Sequence, residues 1–359
     1  MDTTTVVIVT YQSAALIRDV LDALISDPDG PDEVVVVDNA STDGTPAIVA
    51  EFDVRCIALG ENVGFAAGCH AGASASHGST LVFLGHDSVP EQGWLTPLVD
   101  ALGEDRVGAA MATLVDADDP QAFNTSGGHL NYVGLAWISG MGESIPDDEP
   151  PVVDVAFPSG SAMAIRADTW ETFGGFRPEL FMYLEDTDLG WRLRLAGLRV
   201  VRSSRSRVRH EYDFSRSASK MFYLERNRWI LLGTNYRRTT LVALLPALAT
   251  AEVGTCFVAA RDGWLPLKLR AVISAIVGWS SWHTQRSLTE ANRTISDADM
   301  LATMDTGIST VSQVAAPRGS GLVDKCLAGY LRLVLPLLRL TRSGGRPLSG
   351  SARMERHGL

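Results

Sequence analysis

Carboxylate side chains lie in three short polar motifs, and each motif follows an apolar run. They are Asp38 in VDNASTDGT (37–45), Asp87 in GHDSVP (85–90), and Glu185, Asp186 and Asp188 in FMYLEDTDLGWRLRLAG (181–197). A single Asp after a strand is often a helix cap or a turn residue. Three such motifs at the ends of successive elements are better explained by one shared site than by three turns.

Separated carboxylates suit a reaction on a nucleotide-linked substrate. One carboxylate accepts a hydrogen bond from the base, a second holds a divalent cation at a diphosphate, and a third takes a proton from an attacking hydroxyl group. Transfer of a sugar from a nucleoside diphosphate to an alcohol needs all three.

The apolar runs predict strands that alternate with helices. Strand-like runs lie at 5–10, 33–37, 56–59 and 80–84, and helix-like segments lie at 14–25, 45–52 and 64–76. This alternation predicts an α/β fold with a mostly parallel central sheet, in which ligands bind at the carboxyl ends of the strands. That edge holds Thr10, Tyr11, Asp38 and the residues just after Leu84. A looser stretch at 115–156 precedes a second compact block at 157–209.

Charge divides the chain into an acidic front and a basic rear. Residues 1–198 hold 7 Lys and Arg against 31 Asp and Glu, whereas residues 199–359 hold 24 against 11. The acidic part suits cation binding, and no nucleic-acid partner is expected. The basic part suits a membrane surface or a lipid pyrophosphate, although two solvated surfaces of opposite sign would give the same counts.

Beyond residue 235 the composition indicates a helical, basic and apolar region, so we predict domains at 1–235 and 236–359. Its apolar runs are LVALLPALATAEVGTCFVAA (241–260), AVISAIVGWSSW (271–282) and LAGYLRLVLPLLRL (327–340). The first run is long enough to span a bilayer, but Pro246 and Glu252 make it a weak candidate. Helices that lie in the membrane interface, with tryptophans near the boundary, fit better. Helices that only pack on the first domain are the alternative.

Cysteine usage and the first residues predict a cytoplasmic location. The four cysteines show no metal-ligand spacing and are expected to be reduced thiols. The N-terminal segment has neither the basic stretch nor the cleavage site of a signal peptide.

The motifs together resemble family 2 glycosyltransferases of the GT-A fold, in particular the bacterial rhamnosyltransferase-like branch. In order, they are VVIVTYQ, VVVVDNASTDGT, ENVGFAAGCHAG, LVFLGHDSVP, FPSGSAMAIR, FGGFRPELFMYLEDTDLGWRLRLAG, VRH and FYLERNR. The ordered set is far more specific than any one motif. The resemblance implies an inverting transfer of rhamnose or another hexose from a dTDP- or UDP-sugar, with Mg²⁺ or Mn²⁺ as cofactor. It also implies a saccharide or lipid-linked saccharide acceptor of the cell envelope, and a peripheral location on the inner face of the cell membrane.

The resemblance assigns donor-side roles near the ends of the first strands. Thr10 and Tyr11 would line the nucleotide pocket, and Asp38 would accept a hydrogen bond from the pyrimidine N–H. Glycine near ribose and phosphate permits close approach of the backbone. The residues expected there are Asn62, Gly64 and Gly68.

Asp87 would be the cation-binding member of the motif usually written DxD, but this sequence departs from that pattern. Gly85 lies two positions before Asp87, and His86 lies beside it, where relatives usually have polar or acidic residues. One carboxylate is left, so lower metal affinity is expected. His86 would contact phosphate or sugar, or be an ordinary loop residue. His210, in VRH, resembles the downstream histidine that completes the cation site, although a single histidine is often structural.

Asp186 is the predicted general base. It lies where an extended run turns into a helix that ends at Gly197, and a helix N-terminus keeps a carboxylate ionised. The alternative is that Asp186 only caps this helix. Asp188 would cap the helix or contact the acceptor, and Glu185 would help to orient the acceptor.

Further contacts to acceptor or phosphate are predicted in three motifs of the second block and beyond. These residues are Gly160 in FPSGSAM, Trp191, and Arg226 and Arg228 in FYLERNRW. A core position is the alternative for Trp191. The arginines could instead hold the start of the membrane-facing segment.

Other functions fit less well. A sugar nucleotidyltransferase would need a glycine- and arginine-rich loop after the first strand, and a dehydrogenase would need GxGxxG there, whereas this chain has TYQSAALIRD. A degenerate, non-catalytic nucleotide-binding or membrane-scaffold protein is the alternative from another class, and His86 keeps it open. The sequence leaves the sugar, the acceptor and a possible homo-oligomer undecided.

Overall fold

A mixed sheet forms the centre of the molecule. A computed structural model describes residues 3–211, 218–307 and 320–340. The strands are β1 (Thr4–Thr10), β2 (Glu33–Asp38), β3 (Arg55–Ala58), β4 (Thr80–Gly85), β5 (Ser88–Pro90), β6 (Val107–Asp116), β7 (Phe123–Thr125), β8 (Gly127–Leu130), β9 (Ala136–Ser139), β10 (Val152–Asp154), β11 (Ala162–Arg166) and β12 (Arg199–His210). The order across the sheet is β10-β12-β6-β11-β4-β1-β2-β3, with β5 beside β12 and β7 beside β6. β8 and β9 form a separate two-stranded sheet.

Helices cover both faces of this sheet and continue after β12. They are α1 (Ile17–Ser26), α2 (Thr45–Val49), α3 (Gly64–Ala75), α4 (Leu95–Asp100), α5 (Ala167–Phe173), α6 (Glu185–Leu195), α7 (Ala218–Asn235), α8 (Arg238–Arg261), α9 (Leu265–Val277), α10 (Trp279–Asn292), α11 (Asp297–Leu301) and α12 (Ser320–Leu340). Successive residues of β1 point to opposite faces. Val6 and Ile8 pack in the cluster that contains α1, and Val7 and Val9 pack in the cluster that contains α3.

The N-terminal half of the sheet is parallel, as the alternation of strands and helices predicts. β1 pairs with β2 in a register that places Thr10 beside Asp38, and with β4 in one that places Val9 beside Gly85. These strands therefore end at the same edge. β11 enters antiparallel between β4 and β6. The predicted α/β fold class is confirmed, with an antiparallel strand inserted into the sheet.

β12 brings the distant His210 to this edge. The strand runs parallel to β6, and its last residues pair antiparallel with β5, so that His210 lies beside Ser88 in the register. Because Asp87 directly precedes Ser88, the strand pairing itself places His210 next to the predicted cation-binding carboxylate.

The helices after α7 share a core with the first part of the chain. Leu244 and Leu248 of α8 and Leu331 of α12 belong to one buried cluster with Tyr132 and Trp191. The predicted boundary at 235 falls at the end of α7, and the core continues across it. One face of these helices therefore packs on the first part of the chain, as the alternative interpretation predicted. Residues 308–319 and 341–359 of the predicted helical region lie outside the described residues.

α8 contains the apolar run 241–260. Within the described ranges it alone is long and apolar enough to cross a membrane by length and composition, which is weak evidence for a span. Val242, Leu245 and Phe257 are exposed on it. The second predicted run, 271–282, is divided at Gly278 between α9 and α10.

Candidate active site

The ends of β1 and β2 form a buried polar pair. Thr10 Oγ1 donates to Asp38 Oδ1 at 3.2 Å, and Ser41 N donates to Asp38 Oδ2 at 3.1 Å. Both side chains of the pair are buried, whereas the neighbouring Tyr11 is 47% exposed. The structure thus pairs two of the residues predicted for the nucleotide pocket, and the third, Tyr11, follows Thr10 with an accessible aromatic ring.

An asparagine pair fixes the loop that leads into α3. Asn39 Nδ2 donates to Asn62 Oδ1 at 3.0 Å, and Asn39 Oδ1 accepts from Val63 N at 2.9 Å. Asn62 Oδ1 also accepts from Gly64 N at 2.9 Å. Asn39, which sequence reasoning missed, therefore connects the Asp38 motif to the predicted donor loop. The sequence signal that could have revealed Asn39 was its position directly after Asp38.

Packing explains the glycines of this loop and helix. Gly64 has φ +86°, and a Cβ there would lie 2.5 Å from the carbonyl oxygen and the ring of Phe181. A Cβ on Gly68 would lie 2.7 Å from Val9 Cγ1, because α3 packs directly on β1. Close packing on the sheet thus accounts for Gly68, and its contact with the donor stays a prediction.

Asp87 and His210 lie side by side at the end of the sheet. His210 Nε2 is 3.6 Å from Asp87 Oδ1 and 3.2 Å from Ser161 Oγ. His210 is buried, and the Asp87 side chain is 23% exposed. Burial acts to raise the pKa of Asp87, but the contact with His210 and its charge outweigh burial and lower this pKa. Asp87 is therefore an ionised carboxylate at neutral pH.

Asn124 sets the tautomer of His210. Asn124 Nδ2 donates to the His210 carbonyl oxygen at 3.4 Å, and this turns Asn124 Oδ1 toward His210 Nδ1 at 3.0 Å. When His210 is neutral, this contact places its proton on Nδ1 and leaves the lone pair of Nε2 on the side of Asp87. An ionised carboxylate beside such a nitrogen fits a divalent cation. No group of three His, Cys, Asp or Glu ligands occurs in the described part of the chain.

Gly85 lies directly against the Asp87 carboxylate. A Cβ on Gly85 would lie 2.6 Å from both Asp87 Oδ1 and Ser88 Oγ. The Asp87 carboxylate therefore folds back over Gly85, into the space that a side chain at residue 85 would take. His86 lies half-buried in the same turn, and its charge also lowers the pKa of Asp87. Its contact with phosphate or sugar stays a prediction.

The loop FPSGSAM joins the Asp87–His210 pair to the predicted base. Gly160 N donates to Asp186 Oδ2 at 3.1 Å, and the next residue, Ser161, contacts His210. The Ser161 carbonyl oxygen also accepts from Gly85 N at 2.8 Å. Two consecutive residues thus connect Asp186 with the pair that fits a cation.

Glu185 and Asp186 begin α6 as neighbouring carboxyl groups in a poorly hydrated site. Burial raises the pKa of Asp186, although Gly160 N and Thr187 N donate hydrogen bonds to its carboxylate. Burial, and then the charge of Asp186, raise the pKa of Glu185 well above its usual range. Glu185 Oε2 is buried, and no partner for it is found among the described residues. Glu185 thus favours the protonated form, and Asp186 is the group with donors that stabilise a charge.

Asp188 holds α6 to its neighbours, and its predicted role as an acceptor contact is corrected. It is fully buried and contacts Arg177 Nη1 at 3.1 Å and Arg192 Nε at 2.7 Å. Asn235 Nδ2 of α7 also donates to it at 2.9 Å. Burial would raise the pKa of Asp188, but the two guanidinium groups outweigh it and lower this pKa. A fully paired, buried carboxylate cannot serve the acceptor.

Trp191 and Arg228 are also buried, so their predicted contacts with acceptor or phosphate are corrected. Trp191 has 0% exposure and packs edge-on against Tyr236, with ring centroids 4.8 Å apart. Arg228 pairs with Glu225 at 2.7 Å and with Glu252 of α8. The first is a core residue, and the second belongs to an ion-pair network between helices.

Arg226 contacts backbone rather than an open site. Its Nη2 donates to the carbonyl oxygens of Glu179 and Leu180, each at 2.8 Å. The predicted phosphate contact of Arg226 is therefore corrected to a contact with the loop that precedes α6.

Comparison with known proteins relates the first part of the chain to a family. Residues 5–173 match Glycosyl transferase family 2. This range contains the Asp38, Asn62 and Asp87 motifs, and the predicted base follows it. The matched range is thus similar to family 2 glycosyltransferases, and the chain is a glycosyltransferase with the GT-A-like fold and the strand-end site described above.

Within this family the chain is similar to bacterial rhamnosyltransferases, as predicted. The N-acetylglucosaminyl-diphospho-decaprenol L-rhamnosyltransferase of Mycobacterium tuberculosis is 28% identical over 237 residues, which are 58% of this chain and 76% of the relative. The O-antigen chain rhamnosyltransferase RfbN of Salmonella typhimurium is 24% identical over 218 residues, 59% of this chain and 67% of the relative.

A solved structure supports the fold. GalNAc-T7, crystallised with UDP, GalNAc and Mn²⁺, superposes with a TM-score of 0.53 at 16% identity. The match covers 66% of this chain and 49% of that chain, so the chain spans about half the length of this neighbour. At this identity the likeness concerns the fold alone.

Proposed function

We propose that this glycosyltransferase moves rhamnose or another hexose from a nucleoside diphosphate sugar to an acceptor hydroxyl group, with inversion by a single displacement. The observation that carries the proposal is the Gly160–Ser161 link between Asp186 and the Asp87–His210 pair. A site of this form holds the leaving diphosphate on one side and takes a proton from the attacking hydroxyl on the other. Fixed geometry of this kind accelerates transfer because the reacting groups are already oriented.

The buried pair at the ends of β1 and β2 would bind the nucleotide base. Asp38 would accept a hydrogen bond from the pyrimidine N–H, and Tyr11 would offer its exposed ring to the base. A pyrimidine donor, dTDP- or UDP-linked, matches an acceptor-only carboxylate. The similarity to rhamnosyltransferases favours a rhamnosyl donor.

Asp87 and His210 would hold Mg²⁺ or Mn²⁺. When bound, the cation neutralises the negative charge that develops on the leaving diphosphate. Asn124 keeps Nε2 of His210 available, and Ser161 holds the ring in place.

Asp186 would act as the general base, and Glu185 as a hydrogen-bond donor to the acceptor. Burial raises the pKa of both groups. The charge of Asp186 raises the pKa of Glu185 further, whereas hydrogen bonds act to lower the pKa of Asp186, so the two neighbouring carboxyls do not ionise with equal ease. An ionised Asp186 accepts the hydroxyl proton, and a protonated Glu185 can donate to an acceptor oxygen. The acceptor oxygen attacks directly, and inversion follows from this single displacement.

The exposed faces of three C-terminal helices support an acceptor at a membrane surface. The exposed apolar side chains are Val242, Leu245, Val253 and Phe257 on α8, Leu269, Ile273, Ile276 and Val277 on α9, and Leu333, Leu337 and Leu340 on α12. Arg270 and Arg332 are exposed on α9 and α12. Apolar stripes flanked by cations are typical of helices that lie on an anionic bilayer. We propose a lipid-linked saccharide acceptor at the cytoplasmic face of the membrane.

Calorimetric titration of the full chain with UDP, dTDP and GDP, with and without Mn²⁺, tests the donor side. A pyrimidine nucleoside diphosphate should bind, and omission of Mn²⁺ should weaken binding by at least about 10-fold. Asp87→Ala should remove this dependence on the cation, whereas Asp105→Ala, at an exposed carboxylate, should retain it. If the folded protein binds the nucleoside diphosphate equally well with and without Mn²⁺, the Asp87–His210 pair is not a cation site for the donor.

A further inference from the structure

A strained backbone segment leads into Glu185 and Asp186. Phe181 has φ +64° and ψ −65°, and Met182 N donates across it to the Leu180 carbonyl oxygen at 2.7 Å. This γ-turn geometry is rare. Tyr183 and Leu184 follow with φ +66° and +65°. Because non-glycine residues avoid positive φ, contacts from elsewhere must hold this conformation.

Asn227 of α7 supplies these contacts. Its Nδ2 lies 2.9, 3.0 and 2.7 Å from the carbonyl oxygens of Leu180, Met182 and Tyr183 and donates to them. The side chain has 0% exposure, and its Oδ1 accepts from Arg226 Nε at 2.9 Å. Arg226 thus fixes the orientation of the carboxamide, with its NH₂ group toward the strained turn. An apolar side chain or a carboxylate could not donate these bonds.

The segment 181–184 lies between the donor loop and the base. On one side the Phe181 carbonyl oxygen accepts from Ala66 N at 3.1 Å, and the Phe181 ring fills the space beside Gly64. On the other side Leu184 directly precedes Glu185, and its carbonyl oxygen accepts from Asp188 N at 2.9 Å in the first turn of α6. Relaxation of this segment would therefore move Asp186 relative to the donor loop.

We propose that Asn227 is a positioning residue for glycosyl transfer: it holds the left-handed turn that sets Asp186 against the donor. The inference rests on the proposed role of Asp186 as the base. Because Asn227 is fully buried, it acts through the backbone of 180–183 and not by contact with a substrate. Displacement of a reacting group by about 1 Å can reduce a rate by about 100-fold. The loss should fall on kcat, while nucleotide binding through Asp38 and Asp87 is retained.

Asn227→Ala and Asn227→Asp test this role in the full chain. The control is Asn131→Ala, because Asn131 is also fully buried and also bonds to loop backbone, at Gly307 O and Val133 N. For each variant we would measure the melting temperature, the Kd of UDP or dTDP with Mn²⁺, and the turnover of the corresponding nucleotide sugar. Both Asn227 variants should lose about 30- to 100-fold in kcat with Kd changed less than about twofold, and Asn131→Ala should keep kcat.

Arg226→Met is the second variant, since Arg226 is only partly buried and its loss releases the carboxamide without emptying a core position. It should lower kcat by about 10-fold and leave the Kd unchanged. Native kcat in either Asn227 variant, or equal losses in kcat and nucleotide affinity, would overturn the inference. If the Asn227 variants do not fold, native kcat in Arg226→Met would overturn it.

Asp186→Asn separates this inference from the proposed function. Asn227→Ala should cost no further activity when Asp186 is already Asn, because both changes act on the same group. Native turnover in Asp186→Asn would overturn the base itself. Lost turnover in Asp186→Asn, together with native turnover in Asn227→Ala, would overturn only the role of Asn227.

Discussion

The two carboxyl groups that begin α6 differ in what surrounds them, and this difference supports the roles that we propose for them. Asp186 receives hydrogen bonds from Gly160 N and Thr187 N, whereas Glu185 Oε2 is buried with no partner among the described residues. Desolvation disfavours the charged form of both groups, and hydrogen-bond donors restore it for one. Adjacent residues of the same chemical type can therefore serve as base and as proton donor.

The raised pKa of Asp186 predicts the pH dependence of turnover. Asp186 must be ionised to act as a base, and its pKa lies above the ordinary aspartate value of about 3.9. On the acid side of the pH profile, kcat should therefore rise with pH, with a midpoint above that value. Turnover at saturating donor, measured across pH, gives the midpoint. Asp186→Glu should move this midpoint, and Asp105→Asn should not. A wild-type midpoint at or below the ordinary value, with the protein folded, would contradict a desolvated base.

Restoring the usual acidic residue two positions before Asp87 should weaken cation binding. A Cβ at residue 85 would lie 2.6 Å from Asp87 Oδ1, so Gly85→Asp must displace the carboxylate that remains. We expect Mn²⁺-dependent nucleotide affinity to fall by about 10-fold, as measured by calorimetry. Gly103→Ala, at a position where a Cβ would meet no atom within 4 Å, is the control. Tighter binding by Gly85→Asp would show that Asp87 can be accommodated elsewhere.

Sequence alone predicted which polar residues lie at the strand ends. Thr10, Asp38 and Asp87 lie at the carboxyl ends of predicted strands, where a parallel sheet gathers its ligands. The structural role of Asp188 was predictable only in part, because Arg192 follows it by four residues but its partner Asn235 is 47 residues away in the chain. Arg228 was misassigned for a similar reason, since charge composition does not reveal that Glu252 neutralises it.

At the scale of elements, α7 connects the site to the C-terminal helices. One part of α7 presents Asn227 to the turn before α6, and another presents Glu225 and Arg228 to α8 and α9. Lys268 of α9 has 0% exposure and lies 2.7 Å from Glu225 and 2.8 Å from Glu252. Burial would raise the pKa of Glu225, but Arg228 and Lys268 outweigh it and lower this pKa. The four charges therefore form a neutral, buried network.

Lys268→Met should destabilise the fold. Removal of one cation leaves Glu225 and Glu252 with a single positive partner, and breaking a buried pair in this way costs about 3–5 kcal/mol. Unfolding in denaturant measures the change. Arg270→Met, at an exposed cation of the same helix, should change the free energy of unfolding by less than about 0.5 kcal/mol. Equal effects of the two variants would show that the network adds nothing to stability.

The elements themselves were largely predictable. The first four strands and their helices follow from apolar periodicity, and β1 begins one residue before the predicted run. The left-handed turn at 181–184 was not predictable, because none of its residues is glycine and the group that holds it lies on α7. The separation of α9 from α10 at Gly278 was hidden in a continuous apolar run.

Across the whole molecule, charge and exposed apolar surface are divided between the two parts of the chain. The acidic part carries Asp38, Asp87 and Asp186, and the basic part carries His210 and the exposed stripes of α8, α9 and α12. α8 packs against both α9 and α12. An anionic bilayer would attract the basic part and repel the acidic part, which would orient the enzyme on the membrane.

Substitution of the α9 stripe tests this orientation. Ile273→Glu with Ile276→Glu places two carboxylates among exposed apolar residues, so binding to vesicles that contain anionic lipid should fall by at least about 10-fold. Co-sedimentation measures the bound fraction. Ile25→Glu, at a 51% exposed position on α1, is the matched control and should bind like the wild type. Unchanged binding by the double variant would place the membrane contact elsewhere.

In the mechanism that we propose, Asp186 performs the proton transfer beside a separate site for the diphosphate and its cation. The most direct measurement compares Asp186→Asn with the wild type, recording turnover of the nucleotide sugar and affinity for the nucleoside diphosphate with Mn²⁺. We predict that turnover falls by about 100- to 10,000-fold, since the base is lost, and that affinity changes less than about twofold. Turnover within a few fold of the wild type, in a folded protein that binds the nucleotide, would contradict the claim.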